Sequence, residues 1–138
     1  MRSELKSLYV AIDHPAIACI DVQKQIDWYC TNLGMRVVAT NGQTPPALVI
    51  GYGQTTRDGA MIEMMPARDA GPRPYTFARF QPGIRHVALR VTNLDEAIER
   101  LKALNVEFTM SEPGEAVGGG RTVLFRDPEG NELQIIQR

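Results

Sequence analysis

An internal repeat is the feature that most constrains how this chain of 138 residues can fold. The segment HPAIACIDVQKQIDWYCTNL starts at His14, and a similar segment, HVALRVTNLDEAIERLKAL, starts at His86. Subtracting 14 from 86 gives an offset of 72, which also places Ala16 on Ala88. A repeat of this size predicts two copies of one supersecondary unit, which stabilise each other by burying their apolar faces.

Each copy begins with a short apolar strand and continues with an amphipathic helix. Asp21 is the predicted N-cap of the first helix and Gly34 its predicted left-handed end, while Asn93 is the predicted N-cap of the second helix. Three further strands are predicted in each copy from apolar segments bounded by turn residues. They are MRVVAT, PALVIGYG and GAMIEMM in the first copy, and VEFTM, RTVLFRD and ELQIIQR in the second. The predicted order is therefore βαβββ, twice.

The predicted fold class is α+β, in a single domain of residues 1–138. It has two βαβββ modules, residues 12–65 and 83–138, and a proline-rich linker over 66–82. One such module can cover only one face of its sheet. We therefore expect the two modules to complete a curved eight-stranded mixed sheet, a half-barrel around a central cavity.

Composition and charge limit the partners that we expect. Fifteen Lys and Arg against 16 Asp and Glu give a net charge of -1, which does not favour nucleic acid or an anionic membrane. A small-molecule substrate fits this charge better. The N-terminal MRSELKSLYVAI has neither a signal-peptide nor a membrane-anchor pattern, which predicts a cytoplasmic protein. The only two cysteines, Cys19 and Cys30, are interpreted as buried small hydrophobic residues.

Four polar side chains occupy matched positions of the repeat. RDGAMIEMM aligns with PEGNELQII when Glu63 is set on Gln134, an offset of 71 (134 minus 63). If the first and last strands of each module are neighbours, His14 can approach Glu63 and His86 can approach Gln134. Two imidazoles, a carboxylate and an amide oxygen suit one divalent ion such as Zn, Ni, Co, Mn or Fe. An isolated strand histidine is more often a core or surface residue, but both histidines of this chain stand at the same repeat position.

The segments IDHPAIACID, WYCTNLGM, GIRHVALRV and RDPEGNELQI resemble the vicinal oxygen chelate superfamily over nearly the whole chain. This superfamily includes glyoxalase I, methylmalonyl-CoA epimerase, fosfomycin resistance enzymes, extradiol dioxygenases and bleomycin resistance proteins, and the pattern here is most similar to glyoxalase I-like proteins. The resemblance implies metal ligands on the first and last strands of each module, which carries over to His14, Glu63, His86 and Gln134.

Gln134 departs from the family pattern, because glyoxalases have a glutamate at this position that often also serves as the base. A glutamine can bind a metal through its carbonyl oxygen, but it cannot accept a proton. Glu63 is therefore the predicted catalytic base. Glu132 lies on the same strand face as Gln134, about 7 Å away, and is interpreted as a solvated strand end.

The resemblance implies a metal-dependent lyase or isomerase/epimerase of glyoxalase type. The cation would stabilise an enediolate or enolate of a small substrate with vicinal oxygens while Glu63 moves a proton. An Fe(II)-dependent extradiol-type dioxygenase and a non-catalytic, bleomycin resistance-like drug-binding protein stay as alternatives. The resemblance also implies a homodimer, and leaves open whether the site forms within one chain or between two.

Overall fold

The computed structural model describes residues 8–69 and 82–138. The chain divides into two compact units, Met1–Ala70 and Gly71–Arg138. Each unit contains one βαβββ module, so the predicted α+β class is confirmed. Most of the predicted linker, positions 70–81, and the first seven residues of the N-terminal segment lie outside the described residues.

The first module forms a four-stranded mixed sheet and one helix. Its elements are β1 (Ala16–Cys19), α1 (Val22–Leu33), β2 (Arg36–Thr40), β3 (Leu48–Gly51) and β4 (Met61–Pro66). The strand order is β1-β4-β3-β2. β1 runs parallel to β4, and β3 is antiparallel to both of its neighbours. The first and last strands of the module are therefore neighbours, as the sequence argument requires.

The ends and the buried face of α1 follow from local chemistry. The Asp21 side chain accepts a hydrogen bond from the Lys24 backbone N–H at 3.0 Å, and Gly34 ends the helix with a φ of 72°. Val22, Ile26 and Tyr29 are spaced three and four residues apart and are all buried. Burial of each apolar side chain contributes about 1.5–3 kcal/mol, which fixes this face of α1 against the module core.

The second module repeats the arrangement with a shorter second strand. Its elements are β5 (Val87–Arg90), α2 (Leu94–Ala103), β6 (Gly114–Glu115), β7 (Arg121–Arg126) and β8 (Glu132–Gln137), in the sheet order β5-β8-β7-β6. β5 is parallel to β8, and β7 is antiparallel to both β8 and β6. The eight strands of the described residues thus form two four-stranded mixed sheets, one in each module.

The predicted strand VEFTM is wrong. This segment contributes an isolated bridge from Phe108 to Phe125, and the second strand of the module is the two-residue β6. Backbone hydrogen bonds join Thr109 N to Leu124 O and Arg126 N to Glu107 O. The alternating apolar pattern therefore does place the segment beside β7, but the contact is too short to be a strand.

Capping hydrogen bonds and charged side chains stabilise the two ends of α2. The Asn93 side chain accepts a hydrogen bond from the Glu96 backbone N–H at 3.0 Å, and the Leu94 N–H donates to the Gln137 side chain at 2.7 Å. Acidic residues occupy the first turn and basic residues the last, which complements the helix dipole. Over the described residues, neither this helix nor any other has the length and apolar character of a membrane span.

The two cysteines differ in burial. Cys19 is fully buried, as predicted, and its Sγ lies 3.7 Å from the Met64 sulfur. Cys30 is half-buried, so the prediction that both are buried is wrong for Cys30. Its position near the end of α1 leaves the thiol partly accessible from the helix surface.

Candidate functional site

Glu63 lies at the centre of β4, on a face of the first sheet that side chains do not cover fully. Its strand neighbours Ile62 and Met64 are buried, whereas Glu63 is half-buried. Its register partners are Ala16 on β1 and Val49 on β3. Ala16 is exposed. Because alanine ends at Cβ, it leaves the carboxylate of Glu63 accessible from the side of β1.

Gln134 has the same surroundings in the second module. It is half-buried between the buried residues Leu133 and Ile135 of β8. Its register partners are Ala88 on β5 and Leu124 on β7. Ala88 is also exposed. Each module therefore presents one oxygen-bearing side chain between an exposed alanine and a larger aliphatic residue.

His14 precedes β1 by two residues. A hydrogen bond from the Glu63 N–H to the Pro15 carbonyl, 2.9 Å long, extends the pairing of β1 and β4 toward His14. The imidazole is 33% exposed, and its Nδ1 lies 2.6 Å from the Asp13 Oδ2 atom. Asp13 itself is 75% exposed. Nδ1 of His14 therefore faces a carboxylate.

His86 stands immediately before β5, at the matching position of the second module. Its side chain is 32% exposed, and its Nδ1 lies 3.9 Å from the Glu132 Oε1 atom. Glu132 is the first residue of β8, and only 5% of its side chain is exposed. Continuing the register of Val87 with Leu133 by one residue places His86 opposite Glu132.

The interpretation of Glu132 as a solvated strand end is wrong. The residue is buried, and it stands at the start of a strand that lies between β5 and β7. The distance along β8 between Glu132 and Gln134 does not reveal this burial, because the side chain of Glu132 also lies beside the residue that precedes β5. The repeat contains a signal for this contact. If the first and last strands of the module pair in parallel, residue 132 lies beside residue 86.

The two histidines each face a carboxylate that the predicted ligand set omitted, Asp13 and Glu132. Within each module, the described residues hold no group of three or more His, Cys, Asp or Glu side chains placed to bind a metal ion. The predicted ligand set takes two residues from each module and includes a glutamine. The set of His14, Glu63, His86 and Gln134 stays a prediction.

Comparison with known proteins identifies the family. The model of the Glyoxalase/Bleomycin resistance protein/Dioxygenase superfamily matches residues 11–135. The chain belongs to this superfamily. The resemblance to vicinal oxygen chelate proteins is thereby confirmed, and the repeated βαβββ modules are the superfamily's fold in this chain.

Relatives of this superfamily member include enzymes named for one reaction. Lactoylglutathione lyase of Salmonella typhimurium is 30% identical over 128 residues, which is 90% of each chain. A probable lactoylglutathione lyase of Synechocystis is 27% identical and covers 90% of this chain and 92% of its own. These relatives indicate an enzyme of the glyoxalase and lyase type.

A solved structure of the superfamily shares the fold. The trypanothione-dependent glyoxalase I of Leishmania major has a TM-score of 0.70 and 18% identity, and the match covers 94% of this chain and 87% of that one. At this identity the likeness supports the fold alone.

Proposed function

We propose that this chain is a metal-dependent lyase or isomerase of glyoxalase type, which acts on a small substrate with adjacent oxygen atoms. The observation that carries the proposal is the repeated register, in which Glu63 lies beside Ala16 and Gln134 lies beside Ala88. The relatives named lactoylglutathione lyase support the reaction class.

The donor chemistry of the four predicted ligands fits a divalent cation. Both imidazoles are about one-third exposed, and the oxygen-bearing side chains of Glu63 and Gln134 lie beside exposed alanines. Nitrogen and oxygen donors of this kind suit Zn, Ni, Co, Mn or Fe. We propose that His14, Glu63, His86 and Gln134 are the ligands of such an ion. When bound, it would act as a Lewis acid toward the substrate oxygens.

Glu63 is the proposed proton-transfer group. Its carboxylate would take a proton from the carbon beside a carbonyl and return it to the neighbouring carbon, so that no proton is gained or lost overall. Gln134 would contribute its amide oxygen without accepting a proton. The proposed reaction therefore uses a single base, Glu63, which lies in the first module.

The proposed substrate class follows from this proton transfer. A lactoyl thioester is an isomer of the adduct between a thiol and a 2-oxoaldehyde. Their interconversion moves one proton between the adjacent carbons and the hydroxyl proton from one oxygen to the other. Glutathione with methylglyoxal is therefore the first substrate pair to test.

The test is metal content together with turnover. The purified chain is stripped with chelator, reloaded separately with each of the five metals, and assayed for formation of S-lactoylglutathione from methylglyoxal and glutathione. We expect about one bound ion per site and activity that returns with metal. His14→Ala and His86→Ala should lose both, while Glu112→Gln, which changes an exposed glutamate, should retain both.

Equal metal content in the wild type and both histidine variants would refute the proposal. Two other outcomes would assign the alternative classes. Aerobic ring cleavage of a catechol with Fe(II), without thioester formation, would assign a dioxygenase. Tight binding of a bleomycin-type ligand that chelator does not weaken would assign a drug-binding protein.

A further inference from the structure

The two imidazoles share a feature that the proposed function does not use. In both rings the Nδ1 atom faces a carboxylate, from Asp13 at 2.6 Å in the first module and from Glu132 at 3.9 Å in the second. The two carboxylates differ in surroundings. Asp13 is adjacent in the chain and 75% exposed, whereas Glu132 comes from the neighbouring strand and is 5% exposed.

The repeat shows that the two carboxylates are not equivalent positions. Adding 72 to Asp13 gives Arg85, and subtracting 71 from Glu132 gives Met61. Each module therefore has a carboxylate beside Nδ1, but takes it from a different place in the repeat. The two modules therefore share a carboxylate beside Nδ1, although the two carboxylates do not occupy equivalent positions of the repeat.

A carboxylate beside one ring nitrogen decides which nitrogen carries the proton. A neutral imidazole has one N–H donor and one nitrogen with a free lone pair. A negative charge near Nδ1 attracts the N–H dipole and so favours the proton on Nδ1, which leaves the Nε2 lone pair for a metal.

The pair in the second module differs from the first because its carboxylate is buried. At 3.9 Å the separation exceeds that of a direct hydrogen bond. At this distance, a carboxylate charge on Glu132 attracts an N–H group at Nδ1 of His86 through its dipole. Such attraction is stronger in the low-dielectric surroundings of a buried side chain than in water.

We propose that Glu132 is a positioning residue for His86. It holds the ring proton on Nδ1 and directs Nε2 to the divalent cation. The exposed Asp13 lies within hydrogen-bonding distance of the His14 Nδ1 atom and has the same effect on that ring. The role of Nε2 as a ligand rests on the proposed function, whereas the position of the ring proton does not.

The position of the ring proton is measurable without metal. The measurement uses metal-free protein at about pH 8.5, above the pH range in which histidine side chains usually change charge. Long-range ¹⁵N–¹H correlation spectra then distinguish the two tautomers. Because the chain has only two histidines, the spectrum of a His14→Gln variant assigns the signals of His86.

We expect the wild-type His86 to carry its proton mainly on Nδ1, and Glu132→Gln to shift the population toward Nε2–H. Glu132→Asp, which keeps the charge but shortens the side chain, should give an intermediate population. The matched control Glu112→Gln makes the same chemical change at an exposed site of the same module and should leave the spectrum unchanged.

Cation affinity provides the second measurement, by competition of zinc between the protein and a chelating dye. Loss of a carboxylate that supports a metal-binding histidine typically costs 10–100-fold in affinity, and we expect Glu132→Gln to fall in that range. A tautomer population equal to wild type in Glu132→Gln and Glu132→Asp would overturn the inference. A shifted population with undiminished zinc affinity in His86→Ala would instead overturn the proposed metal function and leave the role of Glu132 in place.

Discussion

Ala16 lies directly opposite Glu63 in the parallel pair of β1 and β4. The second module places Ala88 opposite Gln134 in the same way. The sequence offsets of 72 and 71 therefore correspond to one shared hydrogen-bonding register, which is stronger support for the repeat than residue similarity. The same register puts a carboxylate in the first module and an amide in the second, so the two modules are expected to differ in function.

We expect Glu63→Gln to lower turnover by about 10²–10⁴-fold, the usual range for loss of a general base. Metal content should change much less, because a glutamine oxygen can still serve as a ligand. The measurements are the rate of thioester formation and metal analysis of the same preparation. Turnover at the wild-type rate would show that another group moves the proton.

A pair of variants tests whether the base must be in the first module. Gln134→Glu introduces a carboxylate at the position that matches Glu63, and the double variant Glu63→Gln with Gln134→Glu moves the carboxylate from one module to the other. Recovery of activity in the double variant relative to Glu63→Gln would show that either position can serve. Continued inactivity would restrict the role to Glu63.

Features that depend on neighbours in sequence were predicted correctly. The N-caps Asp21 and Asn93 and the left-handed Gly34 are all in place, because capping requires only a side chain and the adjacent helix turn. The pairing of first and last strands was a condition of the metal-site hypothesis, and both modules satisfy it.

Features that depend on the neighbouring strand were not predicted. VEFTM has the alternation of a strand, yet only Phe108 forms a bridge with β7. Glu132 is a charged residue at the start of a strand, which is typical of a solvated position, yet it is buried. In both cases the deciding factor is what lies beside the segment, and a single segment does not contain that information.

Gly120 is expected to be the most sensitive glycine of the hairpin before β7. Its φ is 101°, and an added Cβ would lie 2.3 Å from the Gln137 carbonyl oxygen. The matched control is Gly119, which has a φ of 95° but no atom within 4 Å of an added Cβ. The positive φ should lower the free energy of unfolding of both alanine variants by roughly 1–2 kcal/mol. Gly120→Ala should cost at least about 1 kcal/mol more, as in overpacked sites, and urea unfolding measures the difference.

Equal stability of the two alanine variants would contradict this expectation. It would mean that Gln137 and β8 shift without cost, although Gln137 is paired with Arg121 in the sheet.

Asp58 predicts a dependence of stability on pH. Hydrogen bonds from the backbone N–H groups of Thr55 and Gln54 hold the pKa of this exposed carboxyl below its usual value, and the Thr55 hydroxyl adds a third. Because the pKa is lower in the folded state, the contribution to stability is present at neutral pH and is lost as pH falls through the folded-state pKa. Asp58→Asn should therefore be less stable than wild type at pH 7, with a gap that closes below about pH 4.

Urea unfolding of both proteins at a series of pH values measures this gap. A gap that stays constant from pH 7 to pH 3 would show that the charge of Asp58 does not stabilise the turn.

Cys30 is expected to react slowly with alkylating reagents. Partial burial raises the pKa of its thiol, and the negative charge of Asp27 raises it further. Because the thiolate is the reactive form, Asp27→Asn should lower the pKa and increase the alkylation rate near pH 8. The measurement is the rate of iodoacetamide labelling by mass spectrometry, with Cys30→Ser to assign the site. An unchanged rate in Asp27→Asn would leave burial as the whole cause.

The pairing of β1 with β4 also sets the order in which a module can assemble during synthesis. Glu63 is synthesised 47 residues after its partner Ala16, and Gln134 is synthesised 46 residues after its partner Ala88. Local pairings such as β2 with β3 can form earlier, whereas the strand that follows each histidine is the last to find its place. We therefore expect newly made chains to acquire their two histidine positions late, when each sheet is completed.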